Sequence, residues 1–406
     1  MTGQATRPLA HDLRAMFLIG LAHGCSHFFQ LVLPSLFPFV IVSFDVSYTE
    51  LGLLMTLFFV ASGLGQPVAG FLVDRFGARR LLIGGLGIYC LGILLAALAP
   101  GFWFLVPAML LAAVGNSVFH PADFTILNAS VSSHRLGRAF SVHTLGGNLG
   151  WAAAPVLMLA VASLYGWRAA LLVAAAIGVM VLVGLVLARG GLRDEASARP
   201  GPAARPPGIG AAVLFSAPVL LCFAYFVLLA AALIAVQNFL GPMLEALRQT
   251  PLTLAATALT AFLLGASVGV LMGGVVADRW QRHGLIIAAG LASAGVMILL
   301  VGELALPAVV LVIVLAAAGL LQGLTTPSRD LLVRSATPAG ATGRVFGFVY
   351  SGLDLGSALA PVTVGLLLDG GHPRWVFWLI AAMLFAAIAT AVSIRSETQA
   401  QPQPAE

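Results

Sequence analysis

Residues 137–155 read GRAFSVHTLGGNLGWAAAP, and residues 343–361 read GRVFGFVYSGLDLGSALAP. A Gly-Arg pair, a phenylalanine, a glycine and a proline of the first stretch recur 206 positions later in the second. A second repeat is GFLVDR at 70–75, which recurs as GVVADR at 274–279, 204 positions later. The chain is therefore the product of a duplication, with one half repeated after about two hundred residues.

The composition is that of a membrane protein. Hydrophobic residues make up 60% of the 406 residues, charged residues make up only 9%, and the mean hydropathy is +1.03. These values exclude an ordinary soluble domain. The formal net charge of +5 comes from arginines in short loops. Membrane topology explains such arginines better than a polyanion does, so we expect the lipid bilayer, and no nucleic acid, as a partner.

Twelve apolar runs are long enough to cross a hydrocarbon core of about 30 Å, which takes roughly 20 residues. They lie near residues 14–42, 50–73, 79–99, 102–130, 137–162, 167–189, 211–242, 253–277, 284–303, 307–333, 343–368 and 374–395. Residues 190–209, between the two sets of six, are charged and rich in Pro, Gly and Ala, which is typical of a flexible linker. We expect an all-α membrane protein with two pseudo-symmetric six-helix bundles, at 1–189 and 210–396, and a disordered tail at 397–406.

The arginines predict the orientation of the spans. They crowd into alternate loops and the linker, at Arg75, Arg79, Arg80, Arg135, Arg138, Arg193, Arg199, Arg205, Arg279, Arg282 and Arg344. The opposite loops, such as 43–49 and 243–250, carry few basic residues. Because arginine-rich loops stay on the cytoplasmic side, we expect both termini and the linker in the cytoplasm of a bacterium, with the spans in its inner membrane.

A duplicated, strongly apolar chain of this length is typical of a secondary transporter whose halves enclose a site near the bilayer midplane. The sequence shows no Walker A motif and no Ser-His-Asp arrangement or catalytic carboxylate pair. We therefore expect neither an enzyme nor ATP-driven transport, and no cofactor. A non-transporting membrane receptor or scaffold is an alternative, although a scaffold needs no polar interior.

The loop after the second run reads GFLVDRFGARR at 70–80. Gly70 permits close helix contact, Asp74 is an acid at a helix end, and Arg75, Arg79 and Arg80 are cytoplasmic arginines. An acid there can pair with a helix N-terminus and with arginines, and so latch one conformation. The copy GVVADRWQRHG at 274–284 supplies Asp278 and Arg279. This pattern, together with twelve spans and a 6+6 duplication, resembles the major facilitator superfamily.

Four stretches of the first half carry a closer resemblance. They are AHGCSHFFQLVLPSLFP (22–38), SGLGQPVAGFLVDR (62–75), FHPAD (119–123) and GGNLG (146–150). They are similar to the subgroup of that superfamily typified by the fosmidomycin resistance protein. The resemblance implies export of small molecules by proton antiport.

Polar residues inside the spans form three stripes at helical spacing, and burying them in lipid would be costly. The stripes are His23, His27 and Gln30 in span 1, Asn116, His120 and Asp123 in span 4, and Gln322, Thr326 and Arg329 in span 10. Pro121 is expected to kink span 4. We predict that the residues of these stripes other than Asp123 bind a small-molecule substrate, together with His143, Asn148, Gln237 and Asn238.

Histidine loads and releases protons near neutrality. We therefore predict that His120 and Asp123 form the centre of proton coupling, with His27 and Asp354 as secondary carriers. His23 and His27, at i and i+4, could hold a transition metal, but no further ligand is obviously placed, so no metal is expected. The alternative function is a proton symporter that imports an organic anion, with Arg329 as the countercharge.

The 206-residue offset places Asp123 and Arg329 at equivalent positions of spans 4 and 10. Opposite charges at symmetry-related sites predict an ion pair between the halves that favours the outward-open state. The competing interpretation is a local pair between Arg329 and its neighbour Asp330. We expect the transporter to act as a monomer.

Overall fold

The computed structural model describes residues 9–132, 135–188, 192, 214–280, 282–337 and 342–400. Within these ranges the regular elements are helices, with no strand. They are α1 (Leu9–Val32), a 3₁₀ turn (Pro34–Leu36), α2 (Phe37–Phe44), α3 (Tyr48–Phe76), α4 (Ala78–Ala97), α5 (Phe102–Asn116), α6 (Phe119–Ser130), α7 (Leu136–Tyr165), α8 (Trp167–Ala188), α9 (Ala217–Arg248), α10 (Leu252–Arg279), α11 (His283–Glu303), α12 (Ala308–Leu324), α13 (Thr326–Ser335), α14 (Thr342–Asp369) and α15 (Pro373–Ala400).

In the described part of the chain, 12 helical segments are long and apolar enough to cross a membrane. The predicted all-α class and the twelve spans are confirmed. The predicted linker 190–209 lies outside the described residues except for Leu192, and so does the end of the predicted tail, 401–406. Residues 397–400 were expected to be disordered but belong to α15.

Spans 4 and 10 are each broken into two helices. Span 4 is interrupted at residues 117–118, between α5 and α6, and span 10 is interrupted at Thr325, between α12 and α13. The predicted kink at Pro121 is therefore corrected, because the break precedes the proline. Pro121 lies in the first turn of α6, where a missing N–H costs no hydrogen bond. Pro327, 206 positions later, lies in the first turn of α13.

The chain divides into two compact units. Unit 1 contains Met1–Val46 and Leu57–Ala203, and unit 2 contains Ser47–Thr56 and Ala204–Glu406. The start of α3 thus belongs with the second unit, although the sequence favoured a division at the linker. The reason is a hydrogen-bonded contact with α14. The Asp369 carboxylate accepts the backbone N–H groups of Tyr48 and Thr49 at 2.9 and 2.7 Å, and the Thr56 hydroxyl donates to the carbonyl of Ala358 at 2.6 Å.

Glycines of the duplicated stretch let helices pack backbone to backbone. In unit 1, a Cβ on Gly150 of α7 would overlap the carbonyl oxygen of Gly24 on α1. In unit 2, a Cβ on Gly356 of α14 would overlap the carbonyl oxygen of Val227 on α9. Gly150 and Gly356 are the same position of the repeat. The repeated glycine therefore holds the first helix of each unit against the fifth span of that unit.

The loop motif after α3 turns at Gly77, whose φ of 92° favours glycine. Arg79 donates from Nη1 to the carbonyl of Leu192 at 3.2 Å, while Arg75, Arg80 and Arg279 are exposed. The side chains of Asp74 and Asp278 lie outside the described part of the structure. Among the described residues, a Cβ on Gly70 would meet no heavy atom within 4 Å. The described part of the chain therefore shows no close helix contact at Gly70, and its role in the latch stays a prediction.

An ion pair that the sequence did not predict fastens the start of α1. Asp12 is fully buried, and its Oδ2 accepts hydrogen bonds from Arg135 Nη1 at 2.7 Å and from the backbone N–H of Ser132 at 3.2 Å. The sequence suggested only a topological role for Arg135. In the structure this arginine also neutralises a buried carboxylate, which would be costly without a partner.

Candidate substrate and proton site

Four histidines and one aspartate converge in unit 1, where α1, α6 and α7 meet. We call this group, His23, His27, His120, Asp123 and His143, the histidine cluster. Asp123 Oδ2 lies 3.0 Å from Nε2 of His143 and 3.2 Å from Nδ1 of His23. The rings of His23 and His143 stack with their centroids 3.6 Å apart, and the His23 and His27 centroids are 4.2 Å apart. One carboxylate oxygen thus faces imidazole nitrogens from two helices, α1 and α7, and it is hydrogen-bonded to that of His143.

The cluster is closed to solvent on one side and open on the other. Asp123 is 0% exposed, His23 and His143 are almost fully buried, and His27 is 9% exposed. His120 is exposed, and its ring centroid lies 5.1 Å from that of His23. The described residues give Asp123 Oδ1 no hydrogen-bond donor. His120 is therefore placed to connect a buried charge with its surroundings.

Gly147 of α7 provides the space for the two histidines of α1. A Cβ at this position would lie 2.5 Å from Nδ1 of His27 and 2.9 Å from Cδ2 of His23. Because His23 and His27 are one helical turn apart, they present their rings to the same face of α7. The GGNLG stretch therefore serves both the helix packing and the cluster. Asn148, the next residue, is half-buried on α7.

A network of amides and hydroxyls adjoins the cluster. Asn116, at the end of α5, accepts at Oδ1 from Ser26 Oγ at 2.9 Å and from Gln30 Nε2 at 3.3 Å, and it donates to Ser62 Oγ at 2.8 Å. Trp151 joins the network to the cluster. Its indole N–H donates to Gln30 Oε1 at 3.0 Å, and its ring stacks on His27 with centroids 4.0 Å apart. The break after Asn116 leaves its side chain facing both α1 and α3.

Sequence reasoning named most of this site but missed three members. The structure brings together His23, His27, Gln30, Asn116, His120, Asp123 and His143, which the sequence singled out. Ser26, Ser62 and Trp151 were missed. The tryptophan directly follows the GGNLG stretch, and a large indole beside a glycine-rich helix face was an available signal. The serines gave none, because isolated hydroxyls are common within spans.

One nitrogen from each of His23, His120 and His143 lies within 4.8 Å of the others, a spacing that would suit a metal ion. Nδ1 of His23 and Nε2 of His143 both face Asp123 Oδ2, at 3.2 and 3.0 Å. The hydrogen bond between His143 and Asp123, together with the stacking of the His23 ring on that of His143, therefore accounts for the convergence of these two rings. We interpret the group as a cluster of stacked and hydrogen-bonded side chains, and the expectation that no metal is bound stays a prediction.

The predicted residues of unit 2 do not form a comparable cluster. Gln237 and Asn238 are 3% and 2% exposed on α9, and the described residues give their side-chain amides no hydrogen-bond partner. Gln322, at the end of α12, lines a small cavity with apolar residues such as Phe262 and Leu229. Thr326 and Asp354 are half-buried, on α13 and α14.

Arg329 has a local partner. Its Nε lies 2.9 Å from Oδ1 of Asp330, which also accepts a hydrogen bond from the Tyr350 hydroxyl at 3.0 Å. The guanidinium carbon of Arg329 lies 4.7 Å from the ring centroid of Phe226, within range of a cation–π contact. The structure thus contains the local pair that competed with the predicted Asp123–Arg329 pair, and the latter stays a prediction.

The model of the Major Facilitator Superfamily matches residues 19–256 and 227–406. The chain belongs to the major facilitator superfamily. This result confirms the resemblance found in the loop motif and the duplication. The protein is accordingly a multi-pass membrane protein.

Relatives of this superfamily protein include two whose names refer to resistance. It is 30% identical over 148 residues to the fosmidomycin resistance protein of Escherichia coli (strain K12), covering 36% of each chain. It is 35% identical over 129 residues to the multidrug resistance protein B homolog of Mycobacterium tuberculosis (strain ATCC 25618 / H37Rv), covering 32% of this chain and 24% of the relative. The matched region therefore spans about a third or less of these relatives.

The fold of this superfamily protein resembles a solved one over almost its whole length. A bacterial homolog of the human lysosomal transporter Spinster, crystallised in an inward-facing and unoccupied conformation, aligns with a TM-score of 0.76. The alignment covers 98% of this chain and 100% of the other at 14% identity. At that identity the similarity establishes the fold alone.

Proposed function

We propose that this protein is a proton-coupled antiporter that exports a small organic molecule by alternating access. It acts as a monomer in the bacterial inner membrane, with both termini and the linker in the cytoplasm. The observation that carries the proposal is the buried carboxylate of Asp123, held between the imidazoles of His23 and His143. The orientation rests on the arginine-rich loops.

The chemistry of the cluster favours proton binding. A buried carboxylate is tolerated in a membrane interior when it is paired or neutralised. A proton shared between Asp123 and its histidine neighbours offsets the buried charge, and both kinds of side chain can accept or release a proton. The Oδ1 of Asp123, which accepts no hydrogen bond from the described residues, gives such a proton a second position. These groups can therefore gain and lose one proton in each transport cycle.

Substrate and proton meet at shared side chains. Exposed His120 lies next to the buried rings, and Trp151 connects His27 with the Gln30–Asn116 amides. A polar substrate that engages these groups would rearrange the hydrogen bonds that hold the proton. This competition is the physical basis that we propose for antiport. Export, rather than import, rests on the names of the fosmidomycin and multidrug relatives.

The symporter alternative receives less support from the structure. It needs a free countercharge for an organic anion, and Arg329 was the candidate. Its guanidinium already contacts the carboxylate of Asp330 at 2.9 Å. An anion at this position would have to compete with a carboxylate one residue away.

The test uses the full chain in proteoliposomes with an imposed pH gradient and a ligand panel that includes fosmidomycin. An antiporter accumulates substrate in vesicles that are acidic inside, whichever way the protein is inserted. A symporter accumulates it in vesicles that are acidic outside. Asp123→Asn should abolish gradient-driven accumulation and leave part of the substrate exchange at equal pH.

The matched control is Asp45→Asn, which removes an exposed carboxylate outside the cluster. Asp45 has a φ of 52°, and asparagine tolerates this left-handed conformation. The control should transport as the wild type does. If Asp123→Asn still concentrates substrate with an unchanged pH dependence, Asp123 is structural and the proposed coupling site is wrong.

A further inference from the structure

A groove at one end of unit 2 combines charged, aromatic and apolar side chains. It lies between the end of α14 and the start of α15 and has a volume of about 800 Å³. Leu366 of α14 lines one side, and Arg374, Trp375 and Trp378 of α15 line the other. Both tryptophans are more than half exposed, at 63% and 54%. The volume is within the range of small-molecule sites, which is about 300–1,000 Å³.

The position of this groove is that of a membrane interface. Trp375 and Trp378 lie in the first turns of a span, and tryptophan is enriched where the hydrocarbon core meets the headgroups. Deeper along α15 the lining continues with Leu379 and Ala382, which are apolar. The groove is therefore polar at the headgroup level and apolar toward the hydrocarbon core.

Two side chains of opposite charge, Glu303 and Arg374, lie at the polar end of the groove without a direct hydrogen bond between them. Glu303, the last residue of α11, has its Oε2 3.9 Å from Nη1 of Arg374, which is beyond hydrogen-bond distance. The indole N–H of Trp378 donates to the other oxygen of Glu303 at 2.9 Å. The side chains of Arg374 and Glu303 are 54% and 39% exposed. Both charges thus stay accessible, and the indole fixes the carboxylate.

We propose that this groove binds a zwitterionic phospholipid whose headgroup carries a primary ammonium, namely phosphatidylethanolamine. Arg374 donates to the phosphate, Glu303 accepts from the ammonium, and one acyl chain lies along Leu366 and Leu379. The headgroup of phosphatidylglycerol is anionic and carries no ammonium, so it offers the carboxylate of Glu303 no cationic partner. The trimethylammonium of phosphatidylcholine has no N–H to donate to that carboxylate. Charge complementarity therefore selects the primary ammonium.

The test is native mass spectrometry of the full chain in micelles with equal amounts of the three phospholipids, all with identical acyl chains. The wild type should retain phosphatidylethanolamine over the other two. Glu303→Gln should lower this preference on the order of tenfold, as expected for the loss of one charge-assisted hydrogen bond. Arg374→Gln should weaken retention of both phosphatidylethanolamine and phosphatidylglycerol. Asp45→Asn and Arg168→Gln, which change charges outside the groove, are the controls.

Two results would overturn the proposal. The wild type could retain phosphatidylglycerol or phosphatidylcholine as well as phosphatidylethanolamine, which requires no folded variant to observe. Alternatively, the preference could persist unchanged in Glu303→Gln. Because the readout is lipid retention and not transport, it is independent of whether the histidine cluster couples protons.

Discussion

Replacing Gly147 by alanine tests whether the geometry of the histidine cluster matters for transport. The new methyl carbon would lie 2.5 Å from Nδ1 of His27, whereas unstrained contacts between such atoms are about 3.5 Å. One of them must therefore move by about 1 Å. His27 has little freedom to retreat, because its ring stacks on Trp151 with centroids 4.0 Å apart. The displacement must reach the rings or the α1–α7 contact.

The expected energies follow from these distances. Overpacking of this kind costs about 1–3 kcal/mol. Alanine regains about 0.5–1 kcal/mol because glycine is unfavourable within a helix. The net loss of stability should thus be about 0–2.5 kcal/mol. Transport should suffer more, on the order of 100-fold, because misplacing reacting groups by about 1 Å has effects of this size.

The assay compares gradient-driven uptake in proteoliposomes with thermal unfolding in detergent. Gly84→Ala is the matched control, since Gly84 lies within α4 and a Cβ there meets no described atom within 4 Å. The double variant Gly147→Ala/His27→Ala should be more stable than Gly147→Ala, because the nearer of the two clashing rings is gone, while transport stays low. Normal uptake by Gly147→Ala would refute the reasoning. So would a double variant that is no more stable than the single.

Three further predictions concern topology, the loop motif and the inter-unit pair. Single cysteines at 43–49 should react with an impermeant thiol reagent in intact cells, and cysteines in the linker 190–209 should not. Asp74→Asn should slow turnover more than it weakens substrate binding, by a coupling of about 1–3 kcal/mol. Lost affinity with normal turnover would contradict this latch. Cysteines at the positions of Asp123 and Arg329 should cross-link in one state of the transport cycle, and the charge reversal Asp123→Arg with Arg329→Asp should outperform either single variant. Failure of both results would exclude the pair.

The duplication made most of the fold predictable. An apolar run of about 20 residues with few charged residues is long enough to cross the membrane, and the chain contains twelve such runs. The repeat then divides the twelve spans into two sets of six. The breaks in spans 4 and 10 were not predicted, because a proline within an apolar run signals a kink at itself. Pro121 and Pro327 instead occupy the first turn of a new helix, where they are tolerated.

The sequence predicted most of the residues of the candidate site but not which of them contact each other. Helical spacing placed His23 and His27 on one face of α1, but it could not say which helix faces them. That depends on the approach of α7, which Gly147 permits. The partner of Asp12 was likewise beyond reach, because Arg135 is distant in the sequence and the pair forms only when α1 meets the start of α7. Pairings between helices depend on rotation and distance, which periodicity does not encode.

Spans 4 and 10 share a break with a proline in the first turn of the following helix, but they carry different charged side chains there. His120-Pro121-Ala122-Asp123 opens α6, and Thr326-Pro327-Ser328-Arg329 opens α13, at an offset of 206 residues. In the first copy the carboxylate of Asp123 meets imidazoles, side chains that exist in both neutral and protonated forms.

In the second copy the charge of Arg329 meets the carboxylate of Asp330, and a guanidinium stays charged at any pH that the protein encounters. The start of α6 therefore holds a carboxylate, Asp123, whose charge a proton can neutralise. The start of α13 holds a guanidinium, Arg329, whose charge is permanent and is compensated by Asp330. We expect variants of the α6 helix start to change the pH dependence of transport. Variants of the α13 helix start should instead change its rate at every pH.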